Sequence, residues 1–208
     1  GGRAEASKGS VHVLAIEPDP QMLAELRRQV PGVTALTGRA EEIPLPDASV
    51  DAVLAGQAAH WFDLDRAMPE VARVLVPGGV FGGLWNADDD RVPWVAGLRN
   101  VCGRHSVAAL TTFSSGDDDD IGGWLRAKGS RIFAPLEHSL FENAQVRTAD
   151  SLIATLRTHS MFLIMEPAER EAVLAGVREY LADTPETASG EFTLPMCTLA
   201  VRAVRRDA

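Results

Sequence analysis

The 208 residues carry a formal net charge of −9, with 29 Asp and Glu against 20 Lys and Arg. That balance speaks against a surface built to neutralise nucleic-acid phosphates, while an apolar fraction of 46% suffices for a globular core. No apolar stretch of bilayer length and no secretory signal is visible. Cys102 and Cys197 are too few for a disulfide framework, so a reduced, cytoplasmic protein without a membrane partner is expected.

Residues Gly1 to Ser10 are small and polar and read as a flexible start. Val11 to Ile16 is a short apolar run of the kind buried on both faces of a sheet, and it ends in an acid, Glu17. Asp19-Pro20 follows as a cap residue and a first-turn proline. Met22, Leu23, Leu26 and Val30 then keep helical spacing until Pro31-Gly32. Val33 to Leu36 is a second strand, Val50 to Ala55 a third, and Asp65 to Leu75 a helix with Pro69 near its first turn and a glycine cap expected at Pro77-Gly78-Gly79. Val80 to Trp85 is a fourth strand. Alternation of strands and helices with short turns predicts an α/β fold, a doubly wound and mostly parallel sheet.

Beyond Asn86 the pattern predicts a helix over Val92 to Ser106, a loop over Ser114 to Gly123, a strand over Ile132 to Phe141, and helices over Ala149 to Thr158 and Pro167 to Ala182. Phe192 to Val204 alternates as a closing strand. The acidic runs Asp88 to Asp90 and Asp117 to Asp120 lack the spacing of a calcium loop and read as solvated loops, so no metal is expected.

Three pieces, residues 15–23 (AIEPDPQML), 38–62 (GRAEEIPLPDASVDAVLAGQAAHWF) and 73–86 (RVLVPGGVFGGLWN), resemble class I S-adenosylmethionine-dependent methyltransferases of the small-molecule type, including the trans-aconitate methyltransferase group. The resemblance is good over residues 11–86 and loose beyond. It implies a Rossmann-like cofactor-binding core over 11–86 and a C-terminal half, 87–208, that completes the sheet and carries substrate-side helices. It further implies that Glu17 holds the cofactor ribose, that Pro18 and Met22 pack on the adenine, and that Ala40 and Glu41 border it. Gly56 and Gln57 would line the methionine end, Trp61 and Trp85 the substrate. His60 is the candidate general base, since a histidine titrates near neutrality; a packing or substrate-orienting role is its competitor. Trp61, Phe62 and Trp85 would equally suit a core. A small-molecule acceptor and no nucleic acid are the expected partners. A non-catalytic binding or assembly module and a nicotinamide-dependent oxidoreductase, for which Glu17 would also suit the ribose, are the alternatives.

The family pattern opens with a central strand and a Gly-rich loop that these residues do not contain. In the family's strand order that strand lies between the strands ending at Glu17 and near Ala55, so its lack leaves a gap inside the sheet. About five apolar side chains at about 1.5 to 3 kcal/mol each are at stake there, which rivals the net stability of a domain. A further segment of the protein filling the gap is the favoured expectation. Direct pairing of the two flanking strands, or a second copy forming a homodimer through the exposed sheet edge, are the others. With the gap empty, cofactor binding should be weak or absent.

Overall fold

The computed structural model describes residues 11–103 and 121–207. The expected flexible start, the last three residues of the helix expected after Val92, most of the loop expected from Ser114 and the acidic run Asp117 to Asp120 lie outside them. Strand β1 (Leu14–Glu17) passes into α1 (Pro20–Gln29), whose start is fixed as its sequence predicts: the Asp19 carboxylate accepts from Gln21 N at 2.7 Å and Met22 N at 3.0 Å, with Pro20 in the first turn. Leu23 is the residue of α1 that is buried. Strand β2 (Thr34–Thr37) lies parallel to β1, Glu17 opposite Thr37.

Strand β3 (Val50–Gly56) leads through a single 3-10 turn, Ala59–Trp61, into α2 (Leu64–Val74). Pro69 sits in the second turn of α2 rather than the first and on its exposed side, where its missing N–H forgoes one helical bond. The glycine cap expected after α2 does not form. Strand β4 (Leu75–Asp88) begins on the residue after the helix, because Leu75 is already extended at φ −68°, ψ 142°. Gly78 and Gly79 serve the strand instead. Gly78 takes φ +76°, and a Cβ on Gly79 would stand 2.8 Å from the Val76 carbonyl, opposite a register shift between Val50 and Ala52.

Helix α3 (Pro93–Cys102) is followed, among the described residues, by α4 (Ile121–Ala127), which takes in residues 121–123 of the expected loop. Strand β5 (Glu137–Thr148) starts and ends later than its sequence suggests. Helices α5 (Ala149–Leu156), α6 (Ser160–Leu163) and α7 (Pro167–Asp183) precede β6 (Glu191–Val204). A capping box at Thr148 and Ser151 starts α5, each side chain accepting the other's backbone N–H.

Among the described residues the strands form two separate sheets. One is the pair β1-β2; the other runs β3-β4-β6-β5, parallel between β3 and β4 and antiparallel from β4 to β6 to β5. Strands β1 and β3 do not pair, so the direct closure weighed above is not adopted and each keeps one unpaired edge. One face of the larger sheet is covered: Val71 and Val74 of α2, Trp124 of α4, and Phe81, Trp85, Phe133 and Ala203 form one buried cluster. A second cluster joins α3, α5 and α7 to Phe192 and Leu194. The opposite face is open at both ends of the sheet, where Leu54 of β3 is 68% and Phe141 of β5 58% exposed. Arg73 of α2 fastens the β2-β3 connection to the larger sheet's helix layer, donating to the carbonyls of Ile43 at 3.0 Å and Leu45 at 2.9 Å and to the carboxylates of Glu70 and Asp47. Those partners hold its guanidinium well above its ordinary pKa. No helix among the described residues is long and apolar enough to cross a membrane.

Candidate functional site

At the carboxyl end of β1, Glu17 is half-buried and its Oε1 accepts from the backbone N–H of Asp19 at 2.9 Å. The carboxylate is thereby oriented by the turn it opens. Pro18 is exposed beside it, and Met22, one turn into α1, is 62% exposed. Gly38 closes the end of β2 against this turn: its N–H donates to the Glu17 carbonyl at 3.4 Å, and a Cβ there would come within 2.8 Å of Pro44 and 3.0 Å of Ile16. Ala40 and Glu41 follow, both half-buried. Glu41 has a structural partner the sequence does not announce, since its Oε1 accepts from Asp63 N at 2.9 Å and ties the loop after β2 to the start of α2.

At the carboxyl end of β3, the space beside Gly56 is open, with nothing within 4 Å of where a Cβ would lie. Gln57 adopts φ +52°, a left-handed conformation that costs a non-glycine residue roughly 1–2 kcal/mol. Two hydrogen bonds to β4 offset it: Gln57 N donates to the Leu84 carbonyl at 2.8 Å and Nε2 to the Asn86 carbonyl at 3.0 Å. Asn86 is a site-shaping residue the sequence reading did not single out. Its only signal was its place at the end of a strand, directly after Trp85.

The turn after Gln57 carries His60 and Trp61, their rings 5.0 Å apart and tilted by 47°. Trp85 reaches across from β4, and its Nε1 donates to His60 Nδ1 at 3.3 Å. Trp85 belongs to the buried cluster and is 9% exposed, whereas Trp61 is 70% exposed; Phe62 packs half-buried on the cluster. Although His60 is exposed overall, partial desolvation of its ring lowers its pKa from the ordinary value. Gln57, His60, Trp61 and Trp85 thus stand together at the ends of β3 and β4. Glu17, Pro18 and Met22 form a second group at the end of β1, across the unpaired edges, and no hydrogen bond joins the two groups directly.

The acidic run Asp88 to Asp90 is not a solvated loop. Asp89 is 7% exposed and held by Arg91, whose Nε and Nη2 each donate at 2.7 Å, and Asp90 pairs with Arg99 at 2.8 Å. Asp88, half-buried with Arg147 and Cys102 of α3 nearby, is pushed up to about 6 by desolvation. Arginines brought in from helix and strand are what allow three acids in a row to be covered. Among the described residues no group of three or more His, Cys, Asp or Glu side chains is placed to hold a metal ion.

Residues 3–82 match the family model described as a methyltransferase domain. An uncharacterized methyltransferase of Mycobacterium tuberculosis is 41% identical over 193 residues, 92% of this chain and 73% of that protein. An uncharacterized methyltransferase-like protein of Schizosaccharomyces pombe is 32% identical over 173 residues, 83% of this chain and 65% of its own length. Among solved structures, one from Anaeromyxobacter dehalogenans described as a candidate type II methyltransferase superposes with a TM-score of 0.62 at 26% identity, over 93% of this chain and 80% of that one. The YcgJ protein of Bacillus subtilis shares the fold at a TM-score of 0.53 and 18% identity, over 95% and 83%. With an α/β sheet of the Rossmann-like type and a relative of this identity spanned to nearly three quarters of its length, the chain belongs to the methyltransferase family.

Proposed function

We propose that this methyltransferase uses S-adenosylmethionine and methylates a small molecule at the carboxyl ends of β1, β3 and β4. The observation that carries the reading is Glu17: a half-buried carboxylate at a strand's carboxyl end, one oxygen steadied by Asp19 N and the other accepting no hydrogen bond among the described residues. That is the acceptor a ribose diol requires at such a position. The neighbouring residues fit the rest of the group. Met22 offers an exposed apolar contact for a purine, and the open space beside Gly56 leaves backbone accessible to a ligand. Exposed Trp61 can stabilise a cation through its ring.

When bound, the cofactor supplies a methyl group on a sulfonium, an electrophile that needs an in-line nucleophile and little else. The residues of this chain bind and orient. Glu17 would hold the sugar, Pro18, Met22, Ala40 and Glu41 the base, and Gly56 and Gln57 the amino-acid end, while His60, Trp61 and Trp85 meet the acceptor. Saturation-transfer NMR tests the assignment, because it detects even weak binding. Transfer from the protein to the adenine and ribose protons of S-adenosylmethionine is expected, and Glu17→Ala should abolish it. Undiminished transfer in that variant would overturn the reading.

A further inference from the structure

Strand β5 ends the larger sheet on the side away from β3, and all its residues but Arg147 are exposed. Its register against β6 runs unbroken from Glu137 to Thr148, so the edge is long and regular. Leu140 and Val146 share one face at 47% and 66% exposed, and Phe141 is open on the other. The strand carries no Pro and no Lys, residues that ordinarily blunt an edge against pairing. On the Phe141 face a ladder of side chains reaches this edge: Thr198 Oγ1 donates to Asn86 Oδ1 at 2.6 Å and accepts from Asn143 Nδ2 at 2.7 Å. An amide group has two hydrogens to donate and an oxygen to accept, and this bond uses one hydrogen.

We propose that two copies of the chain pair edge to edge through β5, antiparallel, about a two-fold axis at Asn143. The occupant is a second copy because the strand is complementary to itself in that register. A two-fold axis normal to the sheet returns each face to its own side, so residues set opposite one another must share a face. An axis at Glu142 would set two carboxylates against each other, and like charges directly opposed destabilise a pair. One at Phe141 would set Leu140 against Glu142, and one at Ala144 would set Phe141 against Arg147. With the axis at Asn143 the strands pair from His138 to Thr148. Leu140 then meets Val146 twice, Phe141 lies along the stem of Gln145, and Glu142 faces Ala144, which leaves it free to keep Arg91 at 3.2 Å. The remaining amide hydrogen and Oδ1 of Asn143 meet those of the partner subunit's Asn143, so the ladder from Asn86 crosses the axis into the second copy. Backbone amides and carbonyls on the outer side of β5 are satisfied by the same pairing. This edge lies at the opposite end of the sheet from the flank of β3.

Sedimentation velocity of the full chain across a dilution series tests the association, and a species of twice the 22.3 kDa chain mass is expected. Val146→Lys sets a lysine against Leu140 on both sides of the axis and should weaken the dimer about tenfold or more, whereas Leu54→Lys on β3 should leave it unchanged. Cross-linking reads the register directly. Copies of Asn143→Cys should join through a disulfide under mild oxidation, because directly opposed Cα atoms lie about 4.5–5.5 Å apart. Copies of Ser139→Cys, offset by about eight residues or roughly 27 Å along the pair, should not join. Cys102 and Cys197 are buried and stay out of the reaction. A chain that remains monomeric throughout the series, a dimer lost in Leu54→Lys but kept in Val146→Lys, or Ser139→Cys joining as readily as Asn143→Cys would each overturn the proposal. Should circular dichroism show Val146→Lys unfolded, the cross-linking result decides alone.

Discussion

Strands β1 and β2 are four residues each, and every residue of β1 is only half-buried, whereas β4 and β6 run for fourteen residues each and bury Phe81, Leu194 and Cys197. Both sheets follow the same rules of pairing. The smaller lacks a neighbour on the side where β1 stays open, so its apolar residues cannot be covered on both faces. Its attachment is partly apolar, through Ile43 in the larger sheet's buried cluster and Ile16 and Leu45 packed against it, and partly polar: Arg73 grips the carbonyls of Ile43 and Leu45, and Glu41 accepts from Asp63 N. The candidate site proposed above divides along the same line, with Glu17 on the weakly held pair and His60, Trp61 and Trp85 on the well-packed sheet. The difference teaches that the core of the larger sheet holds the ends of β3 and β4 firmly, while the end of β1 depends on fewer buried contacts and a few side-chain tethers.

The largest expected effect is on the packed side. Phe81→Ala should cost about 3–5 kcal/mol in denaturant unfolding, through lost burial and the cavity left behind; Ile16→Ala, at a half-buried position of β1, should cost less than half of that. Equal losses would erase the contrast between the sheets. Next comes Arg73→Ala, which strips the carbonyls of Ile43 and Leu45 of a charged donor and should cost about 2–3 kcal/mol. Hydrogen exchange should then show β1 and β2 amides opening far more readily than those of β4 and β6.

Asp88 gives a smaller effect whose sign depends on pH. Desolvation raises its carboxyl from an ordinary 3.8 to about 6, so between those values the folded chain binds a proton that the unfolded chain has lost. Its contribution is therefore fully favourable below about pH 4, declines as pH rises, and is gone above about 6. Asp88→Asn should match the parent at pH 4 and exceed its stability by up to about 2 kcal/mol at pH 7. Asp89 and Glu70, both held below the ordinary carboxylate range by arginine partners, change in the opposite direction, so the Asn variant must be compared with its parent at each pH. The smallest effect belongs to the cap. Asp19→Ala should lose about 1 kcal/mol, with a measurable drop in cofactor saturation transfer because the Asp19 turn also orients Glu17.

Much of the first 86 residues was legible because the signals there are local. Asp19-Pro20 starts α1 by chemistry confined to four residues. Where the reading failed, the cause was distant. Gly78-Gly79 has the look of a helix cap, but Leu75 is already pairing with Val50, which places those glycines in a bulged strand. The Gly122-Gly123 pair argues for a loop by propensity, yet Trp124 and Leu125 draw it into a buried helix packed on α2, with the indole of Trp124 donating to Asp65 at 2.8 Å. Asp88 to Asp90 reads as a water-facing acidic run because its counter-charges include residues 99 and 147. The hydrogen bond of His60 could not be read at all, for it comes from an indole 25 positions away.

Among the described residues the flank of β3 is unpaired, with Ala52 and Leu54 exposed on the strand, the kind of edge another strand can extend. Copies of the chain share a formal charge of −9, a repulsion whose reach added salt shortens to about 10 Å at 0.1 M. Raising ionic strength should therefore drive self-association rather than suppress it, the reverse of what a protein joined by ion pairs would do.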